Sequence, residues 1–93
     1  MSTDITGAAP LTAWARLGAG DRRGAAELAA RETARASEAG ERLAEADARI
    51  AHAAALTALG HVTEAHRAFD TAELLSAGLP YPAGRELVNR IRP

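Results

Sequence analysis

The chain has no cysteine. Disulfides, thiolate nucleophiles and cysteine-held metals are therefore excluded. It has no lysine either, and all eleven basic residues are arginine. Aromatic side chains number one Trp, one Tyr and one Phe, too few for the stacking platforms that hold single-stranded nucleic acid. Twelve acidic residues offset the arginines to a net charge of −1, which supplies no pull toward nucleic acid or an anionic membrane. No stretch approaches the roughly 18 uncharged apolar residues of a membrane span. Residues 1–9 lack the basic start and apolar core of a secretory signal. β-Branched residues are scattered and never cluster, so no strand is expected. These absences lead to an expectation of a cytoplasmic protein that binds neither nucleic acid nor membrane.

What is present is alanine, at 25 of 93 positions. Alanine is the best helix former, with Leu, Arg and Glu close behind, so the fold class is all-α. Large apolar side chains are scarce: sixteen Leu, Ile, Val, Phe and Trp lie between Leu11 and Ile91. A core this thin calls for close, alanine-mediated helix packing and for self-association as a dimer. Residues 1–9 read as a mobile tail and 10–93 as a single helical domain. Five helices are expected, over 10–18, 22–39, 41–59, 63–77 and 82–92. Pro10 suits a first helical turn, Asp21 is a good N-cap, and Thr63 is the expected cap of the fourth helix. Gly40 divides the second helix from the third, the alternative being one long rod. The inward face of the third helix is expected to carry Leu43, Ala46, Ile50, Ala53 and Leu56. That of the fourth carries Ala65, Phe69, Ala72 and Leu75 or Ser76. Glu45 and Arg49 form a favourable i,i+4 pair.

The most informative pattern surrounds Gly60: Ala53, Leu56, Gly60, Val62, Ala65, Phe69 and Ala72. A fainter version lies 40 residues earlier, aligning Ala13 with Ala53, Gly20 with Gly60 and Ala25 with Ala65. Both glycines separate two amphipathic helices. Small residues five positions on let helix axes approach to about 8 Å.

The unit from about Asp47 to Leu79 resembles a tetratricopeptide-type repeat. The turn glycine is Gly60, the first helix carries Ala53 and Leu56, and the second carries Ala65, Phe69 and Ala72. The alanine-rich helices look like the repeats of large actinobacterial transcriptional regulators, and arginine without lysine fits the high-GC coding of such organisms. Two departures stand out. Arg49 replaces the aromatic usual early in the first helix, and the proline after the second is late, at Pro80. The resemblance implies antiparallel helical hairpins in a right-handed stack, the alternative being a dimeric helical bundle. It also implies a non-enzymatic scaffold or adaptor whose partner is another protein or peptide. Such repeats usually come in threes or more, so this short array is expected to finish its core on a second chain.

In that family one side of the first helices lines a groove for partner peptides. Carried over, Asp47, Ile50, Ala54 and Thr57 line it here. The 40-residue offset sets Trp14 beside Ala54 and Leu17 beside Thr57, giving an apolar anchor of the kind that dominates interfaces. Arg90 completes the groove candidates. The other role open to Trp14 is to close the end of the core.

No catalytic pattern emerges. His52, His61 and His66 lack ligand spacing, so no metal is expected, and no cofactor motif is present. The pairs Asp70–Glu73 and Glu41–Glu45 read as solvated faces. Gly18 to Gly24 is glycine-rich before a helix but follows a helix and lacks the G-K-[ST] ending of a phosphate loop. The competing class is a small helical-bundle enzyme or ligand carrier with a pocket near His52.

Overall fold

The computed structural model describes residues 12–77 and 88–91. The expected N-terminal tail, Pro10 and most of the fifth helix lie outside the described residues. Four helices follow one another: α1 (Ala13–Gly18), α2 (Arg22–Ala39), α3 (Arg42–Ala58) and α4 (Val62–Ala77). Residues 88–91 are also helical. The described residues contain no strand, as the composition requires.

Polar caps set where the first two helices begin. Thr12 Oγ1 accepts from the Ala15 N–H at 3.1 Å, and Asp21 Oδ1 accepts from the Gly24 N–H at 3.0 Å. Asp21 also receives Arg16 Nη1 at 3.1 Å, tying α1 to the start of α2. A Cβ at Gly24 would meet the Asp21 carboxylate where it now lies, so a side chain at 24 requires that carboxylate to shift. Asp21→Ala loses about 1 kcal/mol in urea denaturation, the usual value of an N-cap side chain.

α1, α2 and α3 end in one repeated device. Gly20, Gly40 and Gly60 sit at φ of 89°, 73° and 84°, the left-handed region that only glycine enters without steric cost. In each turn the glycine N–H reaches the carbonyl three residues back, Leu17, Ser37 or Thr57. The next N–H reaches the carbonyl five back, from Asp21 to Arg16, Glu41 to Ala36 and His61 to Leu56. This is the Schellman arrangement, and it satisfies carbonyls in the last turn of these three helices. Gly40 thus divides α2 from α3, and no long rod forms.

Burial repeats with the turns. Ala13 and Ala53, Ala25 and Ala65, Ala29 and Phe69, and Ala36 and Ser76 are all buried, each pair 40 residues apart. Ser76 is the odd member: it is 1% exposed, and its hydroxyl has no hydrogen-bond partner among the described residues. Since Ala36 fills the matching place, Ser76→Ala should stabilise the chain by up to about 1 kcal/mol by removing an unsatisfied buried group. A rise in the urea midpoint checks it.

α2 packs on α3 and α3 on α4, while α1 packs on α2 and more lightly on α3. α3 is therefore buried on two sides. One side carries Ile50, Ala53 and Leu56 into a cluster with Ala65, Phe69, Ala72 and Val88. The other carries Ala51 into a second cluster with Ala13 and Ala29. Two expectations need correction. Leu43 is 48% exposed: it lies on the stripe of Ala46, Ile50 and Ala53 but in the first turn, where no described neighbour covers it. Thr63 is not the cap of α4, because the helix already begins at Val62.

Candidate docking site

The six groove candidates divide by burial. Trp14 is half-buried and packs against both core clusters. It also lines a depression of about 220 Å³ between α1, α2 and α3 with Thr12, Glu32, Arg35, Ala44, Asp47, Ala48 and Ala51. The indole thus closes the core edge and forms a wall of the depression at once, so the two roles weighed for it are compatible. Asp47 joins it there, half-buried.

The other four candidates do not belong to the described lining. Leu17 is half-buried on the last turn of α1. Thr57 turns its hydroxyl onto its own helix, donating to the Ala53 carbonyl at 2.9 Å. Arg90 is exposed. Ile50 is fully buried in the larger cluster, so its side chain is unavailable to a partner. The helical period accounts for this: Ile50, Ala53 and Leu56 share the face that α4 covers.

Sequence reasoning missed Thr12, Glu32, Arg35 and the Ala44, Ala48 and Ala51 wall. The wall was legible in principle, since alanines at spacings of three and four mark a helix face. Alanine is so common here that the stripe did not stand out. Glu32 and Arg35 come from α2, where acidic and basic residues interleave along the helix and neither stands out. Both Arg35 terminal nitrogens lie 3.3 Å from Glu41 Oε1, a bridge across the Gly40 turn.

A second depression, about 260 Å³ and open to solvent, lies between α3 and α4. Arg49, His52, Leu56, Glu64, Arg67, Ala68 and Thr71 line it. Arg49 is held by Glu45 at 2.8 Å, the expected i,i+4 pair. Burial depresses the His52 pKa below its ordinary 6.5; Glu64 opposes the shift and Arg49 adds to it. The volume falls short of the roughly 300 Å³ at which small-molecule pockets begin. Between the folded and unfolded pKa values the unfolded chain binds more protons, so His52 costs stability as pH falls below about 6.5 and costs nothing well above it. Thermal melts at pH 7.5 and 5.5 should show a smaller loss on acidification for His52→Gln than for the parent.

A third depression has Asp70, Glu73, Leu74 and Ala77 as its described lining, with Asp70 and Glu73 exposed. Among the described residues no group of three or more His, Cys, Asp or Glu is placed to hold a metal ion. No described helix is long and apolar enough to cross a membrane. No family model, curated protein or solved structure matches the chain.

Proposed function

We propose that this chain is a non-enzymatic, helical-repeat docking module that binds another protein or peptide in the cytoplasm and pairs with a second copy of itself. On this reading α1–α2 and α3–α4 are two tetratricopeptide-like antiparallel hairpins. The observation that carries it is the convergence of Trp14 and Asp47, 33 positions apart in the sequence, in one depression with an alanine wall. A half-buried indole beside small side chains offers a partner a large contact at little entropic cost. The hairpin reading draws support from turns and buried positions that recur at 40 residues. The contact of α1 with α3 as well as α2 fits stacked repeats.

The test is affinity capture from the source cell with the parent chain and with Trp14→Ala, alongside mass determination by light scattering. The reading expects a partner retained by the parent and lost by the variant, and a mass of two chains. A monomer at high concentration whose captured proteins ignore Trp14→Ala would sink it.

A further inference from the structure

The Trp14 depression has a charge pattern as well as an apolar wall. Its described lining holds the carboxylates of Glu32 and Asp47 and the guanidinium of Arg35. Arg35 is already answered by Glu41. Glu32 is half-buried and makes no hydrogen bond or ion pair among the described residues. A carboxylate partly withdrawn from water gains from a nearby cation more than an exposed one does. An indole face attracts a guanidinium or ammonium within about 6 Å of the ring. At about 220 Å³, the space is below the roughly 300–1,000 Å³ of small-molecule sites and suits one long side chain.

We infer that the depression formed by Trp14, Glu32, Asp47 and the α3 alanines receives an arginine or lysine side chain of a partner polypeptide. The aliphatic stem lies along Ala44, Ala48 and Ala51, and the cationic head meets the indole and the Glu32 carboxylate. Arginine is preferred, because its planar guanidinium both stacks on an aromatic face and forks to a carboxylate. The inference rests on the docking reading above and adds to it the chemistry of the partner.

The test selects random heptapeptides displayed on phage against the full chain, then titrates a synthetic selected peptide while following tryptophan emission. Trp14 is the only tryptophan, so the signal reports on this depression. Selected peptides should share an arginine or lysine. Replacing that residue by norleucine should weaken binding about tenfold, and so should Glu32→Gln, a difference near 1.4 kcal/mol. Combining the two changes should cost little beyond either alone. Selected peptides without a cation, changing Trp14 emission and indifferent to Glu32→Gln, would overturn the inference and leave the docking reading standing. A selection with no enrichment would also overturn it, while the capture experiment still decides the docking reading. Circular dichroism of Glu32→Gln checks that the chain stays helical.

Discussion

Phe69→Ala lowers the stability of the chain by about 3–5 kcal/mol, the cost of emptying a buried aromatic site. Phe69 is fully buried, and it joins α4 to Ile50, Ala53 and Leu56 of α3 and to Val88. Among the described residues the buried cluster is otherwise alanines, Ile50, Leu56 and Val88, with Trp14 and Ile91 packed against it, and alanines cannot rotate into the space left behind. The loss is comparable with the lower end of what a chain of this length holds in total, about 5 kcal/mol. In a thermal melt the midpoint drops by more than about 12 °C. A drop of only a few degrees would mean that α3 and α4 are not joined through this ring. The matching position of the first unit is Ala29, which is buried without a large side chain. The α3–α4 half therefore carries more of the apolar burial, and denaturation of Phe69→Ala should expose both halves together.

Ile50→Arg has an effect at least as large, about 4 kcal/mol or more, because it places a charge where the parent side chain is fully buried. Read from the family resemblance, this change would block a groove; read from the structure, it unfolds the chain. The two accounts separate cleanly in the far-ultraviolet circular dichroism spectrum. A folded Ile50→Arg that only loses its partner supports a groove role, and a helix signal lost at 25 °C supports the core role. Ile50→Val provides the control. It costs about 0.5–1.5 kcal/mol and keeps the fold, so it also keeps the partner.

The helices were legible because local chemistry speaks plainly at their ends. Asp21 caps α2 as its side chain requires, and Gly20, Gly40 and Gly60 stop helices because each must adopt a left-handed backbone. The α4 stripe of Ala65, Phe69, Ala72 and Ser76 was legible from its period, since one large residue marks the face. α3 was read only in part. Ile50 and Leu56 advertise one face, while the second consists of Ala48, Ala51 and Ala55, whose side chains resemble those of the solvent-facing alanines around them. Ile50 was placed in a groove by the family resemblance alone, while its helical period had already set it on the inward face with Ala53 and Leu56. The Trp14 depression was half legible: Trp14 stood out as the one tryptophan and Asp47 by its repeat position. Glu32 and Arg35 reach it only because α2 packs beside α3, a tertiary fact with no local signature.

The account turns on Trp14 and its neighbours being the surface that meets a partner. Its most direct measurement is a two-dimensional amide and indole NMR spectrum of the chain, recorded as a captured partner or selected peptide is added. The account predicts shifts at the Trp14 indole N–H and at the backbone of Thr12, Glu32, Asp47 and Ala48, with His52 and Arg67 unmoved. A footprint on the α3–α4 face around His52 and Arg67, with the Trp14 indole signal unchanged, would contradict it.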